Sequence, residues 1–133
     1  MKKKLKHEYD ILEMVSVPYN IIFCRGMTQI QALEYIKKKY KDCDFTETLM
    51  ENARTSVCHG KTWRWDRKTI VWIRTTDPKE RQMATAIHEA EHAANHIIHC
   101  MGIEYDIDIS EELFAYYTEY ISMAFLRKLK LIK

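Results

Sequence analysis

The sequence predicts a single α+β domain spanning residues 1–133. Size is the first reason: 133 residues and 16.0 kDa suffice for one hydrophobic core and are too few for two. Composition is the second, because 47% hydrophobic and 30% charged residues with three Gly and two Pro describe a folded chain without long linkers. The third is periodicity. Segments of period two and period 3.6 follow one another as strand, helix, short helix, hairpin, helix, helix.

"VPYNIIFC", Val17 to Cys24, is rich in β-branched and aromatic residues and is closed by Arg25-Gly26, which reads as a strand. Thr28 followed three residues later by Gln31 is a capping-box pattern. Ile30, Leu33, Ile36 and Tyr40 then recur at helical spacing, predicting a helix over about 29–41. "TETLMENA" predicts a shorter helix. "KTWRWDRKTIVWIRT" alternates around Asp66-Arg67 and predicts a β-hairpin. Asp77 as cap, Pro78 at the first helical position and Glu80 three past the cap open a long helix, and Gly102 after Met101 supplies its stop. Ser110 is a second N-cap, and the final helix follows from it.

The formal net charge is only +2, with Lys2, Lys3, Lys4 and Lys6 at one end and Arg127, Lys128, Lys130 and Lys133 at the other. Such clusters read as solvated termini and name no partner. His7, Glu8 and Asp10 interrupt any apolar run after the first lysines, so no secretory signal is expected, and no segment approaches the ~20 apolar residues of a membrane span. Cys24, Cys43, Cys58 and Cys100 form no C-x-x-C pair and are expected as free thiols. A cytoplasmic protein with no membrane partner is the expectation. The tryptophans of "WRWDRK" interleave with Arg64, Arg67 and Lys68, as single-strand nucleic-acid binders do, but a hairpin covering a core is the reading preferred. Asp106 and Asp108 alternate with isoleucines as in an extended segment, without the Gly and oxygens of a calcium loop.

"AIHEAEHAANHIIHC", residues 86–100, carries the chemistry. On a helix of ~100° per residue, Met83, Ile87, Ala90, Ala94, Ile97 and Met101 form an apolar stripe, and His88, His92, His96 and His99 lie opposite. Ala84, Ala86 and Ala93 keep the helix slim, as expected of a helix packed from more than one side. His88-Glu89-Ala90-Glu91-His92 is an H-E-x-x-H match, which this composition produces by chance in about two of a hundred sequences. Imidazoles at i and i+4 are stacked ~6 Å apart along the axis and can share one zinc ion, while the intervening Glu89 is free to act as a base. A third ligand is needed. His96 is ~12 Å beyond His88 on the same helix and His99 farther still, so neither reaches. The astacin-like pattern requires Gly at 95 and His at 98, where this chain has Asn95 and Ile98. The final helix remains, with Glu112 in its first turn and Glu111 and Glu119 as alternatives.

An H-E-x-x-H helix followed by a helix bearing Glu in its first turn resembles the gluzincin metallopeptidases. The step Glu112-Leu113-Phe114-Ala115 is similar to that of ImmA/IrrE-type enzymes and of small metallopeptidase-like proteins from phages and mobile elements. The resemblance covers roughly residues 68–126 and departs from thermolysin-like relatives at Tyr116, where they have an acidic residue. It implies a minimal zincin-like domain: a small sheet with its hairpin packed on the motif helix, the "TIVWIRT" strand bordering a substrate cleft, and a C-terminal helix carrying the third ligand. It also implies His88, His92 and Glu112 as Zn2+ ligands, Glu89 as general base, and hydrolysis of a protein or peptide substrate. A non-catalytic structural or regulatory protein on the same scaffold is the alternative.

Overall fold

A computed structural model describes residues 8–13, as backbone, together with 19–103 and 110–133. The elements are β1 (Glu8–Glu13), β2 (Asn20–Arg25), α1 (Gln29–Lys39), α2 (Glu47–Thr55), β3 (Gly60–Trp65), β4 (Lys68–Ile73), α3 (Lys79–Cys100) and α4 (Glu111–Lys128). The α+β class stands. Lys2, Lys3, Lys4 and Lys6, the start of the "VPYNIIFC" segment, and Asp106 and Asp108 lie outside the described residues.

Among the described residues one four-stranded sheet, in the order β1-β2-β4-β3, forms the middle layer. β2 and β4 are parallel, Ile22 beside Ile70 and Phe23 beside Val71, and the outer strands pair antiparallel to them. Strand β1 was not among the predicted elements, although Tyr9 and Ile11 alternate there with Glu8 and Asp10. The "TIVWIRT" strand is β4, a central strand, so among the described strands β3 rather than β4 forms the free edge on this side.

Both faces of the sheet are covered. Ile21, Phe23, Val71 and Ile73 point into one core with Ala86, Ala90, Ala93, Ala94 and Ile97 of α3 and Tyr117, Ile121 and Phe125 of α4. Ile22, Cys24, Ile70 and Trp72 point into the other, against Leu33 and Ile36 of α1 and Met50 and Ala53 of α2. This two-sided burial explains why β2 reads as an unbroken apolar run. Each fully buried Ile or Phe stabilises the fold by about 1.5–3 kcal/mol. The hairpin tryptophans join the second core, Trp63 buried and Trp65 packed at its border, as a hairpin that covers a core requires.

The helix ends follow local chemistry. Thr28 and Gln31 form the predicted capping box, each side chain accepting the other's backbone N–H. Asp77, by contrast, does not cap α3. The cap position is Pro78, without a side-chain bond, because the Asp77 carboxylate is taken by Arg74 (2.8 Å) and His59 (2.8 Å). Charge-assisted bonds of that kind outcompete a backbone N–H. Ser110 stands at the N-cap of α4, again without a side-chain cap bond. At the far end of α3, Gly102 at φ 71° donates to His99 O, and Ile103 N donates to Ile98 O, a Schellman stop.

The buried face of α3 is rotated from the predicted stripe. Ala90, Ala94 and Ile97 are buried as expected, but Met83 and Ile87 are 37% and 49% exposed. Ala86, Ala93 and Glu89 are buried in their place. The small alanines let α3 approach the sheet closely, and that turns the side bearing Glu89 inward. Glu91 is exposed. On α4, Tyr117, Ile121 and Phe125 form the buried stripe and Tyr120 is exposed.

Candidate functional site

The candidate site lies where α3 passes beside β3. The two elements run in the same sense, since Gly60 abuts Thr85 and Glu89, Thr62 bonds Glu89, and Arg64 acts electrostatically on His96. Gly60 makes the approach possible. A Cβ there would stand 2.5 Å from Thr85 Cγ2, 3.1 Å from Trp72 O and 3.2 Å from Glu89 Cγ, all at or inside the limit of van der Waals contact.

Glu89 is 5% exposed, and its Oε2 accepts a short hydrogen bond from Thr62 Oγ1. A buried carboxylate without such a donor would be costly to keep ionised. The hydrogen bond anchors the carboxyl group on β3.

His88 and His92 stand exposed on the outer shoulder of the same helix. Their Nε2 atoms are 3.2 Å apart, with ring centroids 4.9 Å apart and planes at 78°. Two nitrogens bound to one tetrahedral zinc at ~2.0–2.1 Å are separated by about 3.3–3.4 Å. Two coordination positions of such an ion thus fit this pair.

The third position is different. Among the described residues no three His, Cys, Asp or Glu side chains gather to hold a metal, so Glu112 is not brought to the imidazoles. It is exposed in the first turn of α4. The final helix does fold back along α3, as its sequence position suggested, but on another flank: Ile87 and Glu91 of α3 share a groove with Glu111, Ala115 and Glu119 of α4. Ile87 and Glu91 each precede a motif histidine by one residue, so their side chains point roughly 100° away from His88 and His92. Glu111 and Glu119 face that groove rather than the imidazole pair.

His96, one turn beyond His92, is half-buried. Its Nδ1 lies 3.4 Å from Thr69 Oγ1, which in turn bonds the Tyr19 hydroxyl at 2.6 Å. Burial lowers the His96 pKa, and Arg64, His92 and His99 lower it further. His99 is exposed near the end of α3. His59, beside Cys58 in sequence, pairs with Asp77, while the Cys58 thiol donates to Gln29 Oε1. The adjacent pair is therefore used in the fold. All four cysteines are free thiols, and burial pushes Cys24 up to about 12.

A cleft of about 640 Å³ follows the free edge of β3. Its floor is Lys61 to Trp65, one wall is α2 with Thr48 and Asn52, and His96 stands on the α3 side. Gly60, Thr62 and Arg64 escaped the sequence analysis as site residues. Strand alternation puts the three on one face, but only the packing of α3 shows which face meets the motif helix.

No helix among the described residues is long and apolar enough to cross a membrane. Comparison with protein families, with curated proteins and with solved structures finds no match to the chain.

Proposed function

We propose that the chain is a minimal zincin-like hydrolase that binds Zn2+ through His88 and His92 and cleaves a peptide bond with Glu89 as general base. The observation that carries the reading is the 3.2 Å approach of the two Nε2 atoms on the helix that also presents Glu89 to the free-edge strand. Bound zinc supplies Lewis acidity at such a site. Glu89 accepts the proton of the attacking water and returns it to the leaving amine. Thr62 holds the carboxylate in place between those transfers, and β3 offers an extended substrate a strand to lie along. Glu112 enters as third ligand on the resemblance alone.

The second reading, a non-catalytic structural or regulatory protein with a structural or absent metal, is favoured by the absence of a third donor beside the imidazoles among the described residues. Zinc titration by calorimetry, with parallel peptide-hydrolysis assays, separates the two. The hydrolase reading expects one zinc per chain, lost in His88→Ala and His92→Ala and weakened in Glu112→Ala, with Glu89→Gln keeping zinc and losing hydrolysis. Zinc binding without hydrolysis in the wild type favours the structural reading, and no zinc binding at all removes the metal from both.

A further inference from the structure

The cleft along β3 has a charge pattern that the hydrolase chemistry does not use. Arg64 is exposed on the free-edge strand, on the same face as Thr62, and no carboxylate among the described residues lies within ion-pair distance of it. The group beside it on α3 is His96, itself a base and held toward its neutral form, and His92 lies one turn away. Tyr19 also feels the charge of Arg64. Across the cleft, Asp44 lines the rim in the segment before α2, and Lys61 faces the opposite side of β3 from Arg64. A guanidinium with basic neighbours and no counter-ion among the described residues is a receptor for a carboxylate.

Geometry fixes where that carboxylate must come from. A strand laid against β3 presents side chains to the α3 face at every second residue, each beside its cross-strand neighbour. The residue beside Thr62 is then next to the Glu89 carboxylate, and the residue two positions along is next to Arg64.

We propose that the cleft binds an extended peptide segment bearing an acidic side chain, Asp or Glu, two residues from the one that faces Thr62, with Arg64 as the residue that reads it. This rests on the seating of a peptide along β3 proposed above, and not on hydrolysis taking place.

Binding tests it directly. The probes are short, blocked, fluorescently labelled peptides of alternating Thr and Val with one central Glu, and twins with Gln or Lys in its place. Anisotropy titrations use the full chain, and the same samples are checked for cleavage. The Glu peptide is expected to bind about tenfold more tightly than the Gln twin, in line with a charge-assisted hydrogen bond, and the Lys twin more weakly than either. Arg64→Gln abolishes the preference, Arg64→Lys keeps part of it, and Lys61→Gln leaves it in place. Equal binding of the Glu and Gln peptides, a preference that survives Arg64→Gln, or no binding of any peptide overturns the proposal. Preference without cleavage counts against the hydrolase reading alone.

Discussion

The Thr62 hydroxyl donates to the buried carboxylate of Glu89, joining the free-edge strand to the motif helix across the interface that Gly60 keeps thin. Removing that donor leaves a buried carboxylate oxygen unsatisfied. Thr62→Val is expected to lower unfolding free energy by about 1–3 kcal/mol, with Thr62→Ser near wild type. Urea unfolding of both variants checks it, and equal stability of Val and wild type would show that the bond carries no weight.

Gly60→Ala tests the same interface from the strand side. A methyl group 2.5 Å from Thr85 Cγ2 on α3 pushes that helix away from β3, while at 3.1 Å from Trp72 O it also crowds the neighbouring strand β4. The expected loss is about 1–3 kcal/mol. Thr85→Ala removes the closest clash, so the double variant should recover part of the loss, as thermal unfolding by circular dichroism would show.

Asp77 makes stability depend on pH. Burial works to raise its carboxyl, but hydrogen bonds from Arg74 and His59 and their charges outweigh it and hold the pKa below its ordinary 3.8. A depressed folded value means the carboxylate stabilises the fold fully above the unfolded pKa and loses that effect as pH falls through the folded one. Asp77→Asn should therefore be less stable than wild type at neutral pH. The gap should close as the solution is acidified below about 3.8, and a gap independent of pH would refute the linkage.

Lys130 ends α4 in the left-handed region at φ 59°. Its N–H reaches Arg127 O, and Leu131 N reaches Leu126 O, the bonds of a Schellman stop without the usual glycine. Lys130→Gly is expected to raise stability by roughly 0.5–1 kcal/mol by relieving the Cβ strain. Chemical denaturation of Gly and Ala variants gives the comparison, since Ala keeps the Cβ and should bring no such gain.

Periodicity and capping chemistry are local, so the sequence by itself determined the α+β class, the helix at Thr28, the hairpin around Asp66-Arg67 and the stop at Gly102. The pairing of His88 with His92 was legible for the same reason, because i and i+4 meet on any helix. What only the tertiary structure decided is which flank of α3 meets which neighbour. The slim alanine face lets the helix settle on the sheet rotated from its apolar stripe, burying Glu89 against Thr62 and sending α4 to the Ile87 side, away from the histidines. Helical spacing gives angles around one axis, and the docking of a second element on that axis depends on the summed packing of residues far apart in the chain.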